Sequence, residues 1–411
     1  MQVLPRRTAV LVFLSFAFAY FLSALVRAIT ATLSPTLTQE FSLTAGDLGL
    51  LAGGYFLGFA AMQLPLGRWL DQHGPKRVLL CFLSVSVVGC MAFSAATHFH
   101  ALLAARLLCG AGVSACLMAP LTAYRRWLEP ALQLRANSWM LMTGSMGMVA
   151  STLPVQWLMP VLGWRAIFWG LAACIGLSMV LVALVVPRWR MATIEPQVDE
   201  GMMRGYRQVW RHPYFRSLVP LGFFSYGGLL AMQTLWASPW MNKVANYSPL
   251  QAATGMFWLN VMMLCSFWLW GWVNPLLAKR GWHASRLMTL GLPLSFIFLA
   301  VLVGAGPRLG AGTAALWALF CMSSTFVSLS QPAVAMAFET ALAGRALSAF
   351  NLVIFMGVFV VQWGVGLLID GFQFLGLTEI TAFRSAMAVF LICCVASYCY
   401  FLMTKPHNQV L

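Results

Sequence analysis

The residues best placed for chemistry in this 411-residue chain sit on an apolar background. In the stretch YFLSALVRAITATLSP, residues 20–35, Tyr20, Ser23, Arg27, Thr30 and Ser34 recur at three- and four-residue intervals. That spacing gathers them on one face of a helix. Arg27 is the odd member, because a guanidinium stays charged at any physiological pH. A charge in the middle of a membrane span costs at least about 2.5–3.5 kcal/mol on insertion scales and calls for a cavity and a partner. None of the ten acidic residues falls deep inside an apolar run, and neither does any histidine. An anionic ligand would therefore supply the missing charge. The alternative reading is that Arg27 reaches a nearby headgroup layer along its aliphatic stem.

A second polar stripe, Tyr226, Gln233, Trp236 and Trp240, mirrors the first. Tyr20 precedes Arg27 by seven residues and Tyr226 precedes Gln233 by seven, with Pro35 and Pro239 following. One arginine with one amide suits a carboxylate better than a doubly charged phosphate. Asn260, Ser324, Ser328, Gln331, Asn351 and Gln362 read as polar residues that pack helices together. Trp157, Trp236, Trp240 and Trp363 lie near span ends, where an interfacial belt accounts for most of them. Arg106 reads as a coupling residue, a structural hydrogen-bonding hub or a second snorkelling side chain.

These stripes need helices to carry them, and the composition provides those. The chain is 61% hydrophobic and 9% charged, with a mean hydropathy of +0.82, which excludes an ordinary soluble domain. Apolar runs long enough to cross a bilayer recur at 9–31, 47–66, 78–97, 101–123, 137–158, 165–186, 217–238, 252–274, 286–304, 313–337, 346–369 and 382–403. The expected fold is an all-α polytopic membrane protein with 12 spans. Its expected domains are an N-terminal six-helix bundle (1–187), a cytoplasmic linker (188–216) and a C-terminal six-helix bundle (217–411). The net charge of +15 would suggest nucleic acid in a soluble protein. Here most Lys and Arg fall on one side, leaving Arg165, Lys243, Arg308 and Arg384 on the other. By the positive-inside rule both termini are cytoplasmic, so the basic residues meet lipid headgroups and no nucleic-acid partner is expected. The 10 cysteines lie in or beside the spans without a CxxC pair, a pattern of core residues rather than of a disulfide framework or zinc site.

The segment GRWLDQHGPKR, residues 67–77, resembles the signature loop of the major facilitator superfamily, with Gly67, Asp71, Gly74, Lys76 and Arg77 in its positions. RLLCGAG, from Arg106 through Gly110 to Gly112, is similar to the family's fourth-helix pattern. GWRAIFW, residues 163–169, resembles the turn that opens its sixth helix. The resemblance implies two bundles rocking by alternating access, with helices 1 and 7 lining a central cavity. It gives the 67–77 loop, Arg106 and Gly110 conformational roles; by its own chemistry Gly67 should allow close helix approach and Gly74 a tight turn. It also implies a monomer without cofactor or metal, multi-pass in the bacterial inner membrane. Helix 1 further resembles the organophosphate–phosphate antiporter and anion–cation symporter branches, whose arginine contacts the substrate anion. Those phosphate carriers have a second arginine on helix 7, where this chain has Gln233. GSMGMVASTLP, residues 144–154, lacks the glycine-proline core of the drug-antiporter motif.

The expected function is secondary transport of a small organic anion, a monocarboxylate first. The candidate substrate residues are Arg27, Tyr20, Ser23, Thr30, Tyr226, Gln233 and Trp236. Efflux of amphipathic compounds is an alternative. Copper uptake through Met142 and Met146, with Met118 and Met148 nearby, is a further one. No clustered nucleophile, base or metal site suggests an enzyme. Proton symport, uniport and anion exchange all stay open.

Overall fold

In a computed structural model, residues 4–187 and 200–404 are described. The first part of the expected linker, 188–199, therefore lies outside the described residues. The helices are α1 (Arg6–Phe41), α2 (Ala45–Ala61), α3 (Gln63–Ala95), α4 (Phe99–Trp127), α5 (Pro130–Ala150) and α6 (Leu153–Val185). After the linker come α7 (Glu200–Arg211), α8 (Pro213–Lys243), α9 (Pro249–Lys279) and α10 (Ala284–Ala305). The last are α11 (Thr313–Ser324, prolonged through a 3-10 turn to Met336), α12 (Thr340–Phe374) and α13 (Glu379–Thr404). Among the described residues 9 helical stretches are long and apolar enough to span a membrane. The turn at 306–312 divides one of these in two, and α2 and α5, not among the nine, correspond to the remaining two of the expected 12 spans.

The breaks within the helices have local causes. Gly74 adopts φ 77° and Gly163 φ 72°, values that side chains with a Cβ rarely reach. Pro75 follows the first break, where its missing N–H costs nothing at a new helix start. The signature segment is thus helical up to Gly74 rather than an open loop. In α4, Ser114 interrupts the helix by donating its hydroxyl to the Ala111 carbonyl at 2.8 Å. The expected span 137–158 is interrupted in the same way. Ser151 and Thr152 donate to the Met148 and Val149 carbonyls at 2.7 and 2.6 Å, and α6 begins at the next residue.

The chain forms two compact units. The first is Met1–Leu33 with Gly54–Glu195, and the second is Ser34–Gly53 with Pro196–Leu411. Glycine contacts hold the first unit together. A Cβ on Gly110 would strike the Tyr55 backbone carbonyl, one on Gly58 the Leu107 carbonyl, and one on Gly112 the Ser86 backbone. Phe93 and Phe168 stack across α3 and α6, with ring centroids 4.1 Å apart. In the second unit, Gly227 of α8 packs on the backbone of Gly357 and Val358, while Gly228 meets the Phe390 ring. Close approach through small residues is the usual way membrane helices gain packing without a hydrophobic driving force. The sides of the units are apolar where exposed, as at Trp157, Val161, Leu184 and Trp272.

Gly67 departs from expectation. It is exposed, with nothing within 4 Å of a Cβ built on it, so it mediates no close helix approach. Gly110→Leu should therefore lower the unfolding midpoint in a fluorescence melt of the detergent-solubilised protein, overpacking costing about 1–3 kcal/mol. Gly67→Ala should leave that midpoint unchanged.

Candidate substrate-binding site

The first unit places Arg27 in a pocket built by three helices. From α1, Tyr20 and Ser23 lie two turns and one turn before it; from α2 come Tyr55 and Phe59; from α4 comes Cys116. The guanidinium faces the hydroxyls of Tyr20 and Tyr55 and lies beside the Cys116 thiol. Its Cζ is 5.5 Å from the Phe59 ring centroid, within cation–π range. Arg27 is half-buried, and its Nε is buried with no hydrogen-bond partner, as is the Ser23 hydroxyl. Thr30 and Ser34 are buried further along α1 and are not among the groups gathered at the guanidinium.

Arg106 is fully buried and lies close behind this pocket. Its Nη1 donates to the Val26 carbonyl at 2.9 Å, and its Cζ stands 5.0 Å over the Tyr55 ring. Nε and Nη2 have no partner. Its burial does not fit a snorkelling residue, and with one hydrogen bond it is no hub. Tyr55 connects the two cations. Its ring carries Arg106, its hydroxyl faces Arg27, and that hydroxyl also donates to the Ser23 carbonyl at 3.3 Å. The thiols of Cys90 and Cys109, 3.8 Å apart, lie near Arg106. The pocket thus joins two guanidiniums, two phenols and a thiol, a set suited to holding an anion through charge-assisted hydrogen bonds.

In the second unit the α8 candidates fall on two π-helical segments, Leu221–Tyr226 and Met232–Trp236. Such segments are uncommon and concentrate at functional sites. Each candidate meets an amide. The Tyr226 hydroxyl donates to Gln331 Oε1 at 3.2 Å, and Gln331 Nε2 donates to Asn351 Oδ1 at 2.7 Å. Gln233 Nε2 donates to Asn260 Oδ1 at 2.9 Å. Trp236 Nε1 donates to the Gln362 carbonyl at 3.1 Å, and Gln362 Nε2 to Thr234 Oγ1 at 3.0 Å. The Gln362 Oε1 is buried and unpartnered.

Several expectations change here. Asn260, Gln331, Asn351 and Gln362 are members of side-chain networks rather than isolated packing residues. Ser324 and Ser328 only bond carbonyls of their own helix. Trp236 and Trp240 are fully buried, and Trp240 packs edge-on to Trp317 at 6.1 Å, so a belt accounts for Trp157 and Trp363 alone. Sequence reasoning missed Tyr55, Phe59 and Cys116. A tyrosine amid apolar residues, whose hydroxyl must find a partner when buried, was the available signal for the first.

The signature residues sit elsewhere in the first unit. Asp71 is exposed and faces Arg125, while Lys76 donates to the Val186 carbonyl at 2.6 Å. Arg77 is exposed, and Gly110 abuts Tyr55.

Long apolar helices with glycine contacts and buried polar clusters at mid-helix define a polytopic membrane carrier. The chain belongs to the Major Facilitator Superfamily, whose family model matches residues 16–362. Among curated relatives, the probable sulfoacetate transporter SauU of Cupriavidus necator is 28% identical over 27% of this chain and 26% of its own. The 4-hydroxybenzoate transporter PcaK of Pseudomonas aeruginosa is 25% identical over 36% of this chain and 33% of its own. The multidrug transporter mfsC of Aspergillus fumigatus is 26% identical over 38% of this chain and 30% of its own. The chain thus spans only a quarter to a third of the length of these relatives. Among solved structures, a bacterial homologue of the human lysosomal transporter Spinster, inward-facing and unoccupied, gives a TM-score of 0.80 at 16% identity, covering 98% of both chains. The D-xylose–proton symporter gives 0.79 at 12% identity, covering 98% of this chain and 99% of its own. At such identities the likeness concerns the fold alone.

Replacing a buried charge by an apolar side chain of similar volume is often neutral for stability. Arg106→Met should therefore stay folded, with its melting midpoint close to that of the parent. Isothermal titration should show its affinity for an anionic ligand reduced by about tenfold or more, because the second cation no longer adds to the field at Arg27.

Proposed function

We propose that this transporter carries a small organic anion, a monocarboxylate first, by alternating access, and that Arg27 makes the direct contact. The carrying observation is the Arg27 guanidinium itself, with its Nε buried and unpartnered between the Tyr20 and Tyr55 hydroxyls. No acidic residue lies within residues 20–30, 52–60 or 106–120, the parts of α1, α2 and α4 that surround it. Tyr20, Tyr55 and Ser23 would take the remaining oxygens of the carboxylate, and Phe59 would fix the plane of the guanidinium. The relatives named for sulfoacetate and 4-hydroxybenzoate, both organic anions, support this class. The carrier would act as a monomer in the bacterial cytoplasmic membrane with both termini inside, and the Asp71–Arg125 pair would serve its gating.

A second reading, efflux of amphipathic compounds, draws on the multidrug relative and on the aromatic residues of the spans. Copper uptake fits the structure less well. Met142 and Met146 are exposed on the outside of α5, and Met148 packs against Ala24 and Ala28.

Uptake into proteoliposomes should be measured with labelled 4-hydroxybenzoate, sulfoacetate, lactate and an uncharged sugar. At least one anion should enter and the sugar should not. Arg27→Ala should reduce that uptake by about 10–100-fold, the range expected for one hydrogen-bonded charge. Arg27→Lys should fall between, since it keeps the charge and loses the fork. An Arg27→Ala protein that transports as well as the parent would defeat the anion role.

A further inference from the structure

Behind the Arg27 pocket, a second group of reactive side chains lies buried where α3 meets α4 in the first unit. Cys90 follows Ser86 by four residues on α3, and Cys109 follows Arg106 by three on α4. Each helix therefore carries a sulfur and a hydrogen-bond donor on one face. The helices approach closely at this point. A Cβ on Gly89 would stand 2.7 Å from the Cys109 backbone N and 2.9 Å from its Sγ, and one on Gly112 would strike the Ser86 backbone. This approach brings the two sulfurs to 3.8 Å, with neither side chain exposed.

The donors around the sulfurs are unpaired. The Ser86 hydroxyl lies beside Cys90 and has no hydrogen-bond partner. Arg106 lies beside both thiols, and its Nε and Nη2 have none either. Ser86 and Arg106 both have zero exposure. Buried donors without acceptors are costly, and a cation buried without a counter-ion is costlier still. Neutral thiols are weak acceptors and leave these groups unsatisfied. A disulfide, also neutral, would do no better. An anion centred on the sulfurs would satisfy them all.

Two thiols become one anionic centre when they bind a soft metal as thiolates. Thiolates select soft cations such as Cu(I). Sulfurs 3.8 Å apart can both reach one ion at a metal–thiolate length of ~2.3 Å. Ligand number then narrows the class. Among the described residues no group of three or more His, Cys, Asp or Glu could hold a metal, whereas structural zinc takes four ligands. Charge narrows it further. A divalent ion with two thiolates is neutral and leaves Arg106 without a counter-ion. A monovalent ion displaces the two thiol protons, which leave to water, and the resulting bis-thiolate carries one net negative charge beside the guanidinium.

We propose that Cys90 and Cys109 form a binding site for one soft monovalent cation of the Cu(I) and Ag(I) class, held as a bis-thiolate with Arg106 as its counter-ion and the Ser86 hydroxyl as a second partner. The ion would enter past Met91, the exposed neighbour of Cys90, whose thioether is itself a soft ligand. Sealed between two helices, it is bound rather than carried. The site is separate from the methionines of α5 and stands whether or not Arg27 receives an organic anion.

The test uses the full-length protein in detergent, with the exposed Cys81, Cys174, Cys265 and Cys399 replaced by serine and with Ag(I) as the probe. After desalting in excess free methionine, which strips thioether-bound ions, elemental analysis should find about one silver per chain. X-ray absorption at the silver edge should find two sulfur neighbours. Cys90→Ser and Cys109→Ser should each retain less than about a tenth of that silver. Arg106→Leu, which removes the charge without adding a sulfur, should weaken silver binding by about 10–100-fold, the range for a group that supports a metal ligand. No retained silver in the parent, or a full equivalent in Cys109→Ser, would overturn the site. So would oxygen or nitrogen neighbours in the parent's absorption spectrum, a measurement that needs no variant to fold. Unchanged silver affinity in Arg106→Leu would overturn the role given to the guanidinium.

Discussion

Arg106 is a permanent cation with zero exposure, and the surrounding side of the first unit is arranged to keep it there. One N–H reaches the Val26 carbonyl and the π face of Tyr55 covers the guanidinium. A carboxylate would have neutralised this charge; a carbonyl and a ring only make it tolerable. The positive field therefore persists and reaches Arg27, a residue away from Val26 along α1. Tyr55 can fill its double role only because α2 lies against α4 with no space at Gly110 and Gly58. Packing of small residues and electrostatics are thus one constraint, since a Cβ at Gly110 would shift the ring on which the buried charge rests.

The second unit is organised on a different principle. Around Gln233, Gln362 and Tyr226 the polar groups are amides and hydroxyls, each paired with a neutral partner. The π-helical register of α8 brings Gln233 and Trp236 toward Asn260 and Gln362, where a regular helix would have set its side chains at a different rotation. Neutral networks of this kind offer directional hydrogen bonds without charge. Such networks can discriminate ligands by their hydrogen-bonding groups.

Much of this architecture was legible beforehand. The twelve spans follow from apolar runs, and the turn at Gly74 follows from a glycine before a proline inside a recognisable segment. Arg27 drew notice because a charge on an apolar helix has few physical explanations. Tyr55, Phe59 and Cys116 stayed hidden because aromatic and thiol side chains are ordinary core residues, and only the three-dimensional approach of α2 and α4 sets them against a guanidinium. The amide networks of the second unit were hidden for a related reason, since Gln and Asn reveal their partners only when helices distant in sequence meet. Gly67 shows the opposite failure. Its place in a motif suggested close packing, and the structure leaves it in open space.

The central claim is that the negative charge of the ligand, rather than its shape, is what Arg27 recognises. Calorimetric titration of the purified carrier with 4-hydroxybenzoate and with 4-hydroxybenzamide, which has nearly the same shape without the charge, puts this to the test. The acid should bind and the amide should bind at least about tenfold more weakly, a difference of about 1.4 kcal/mol. Equal binding of the two would contradict the claim.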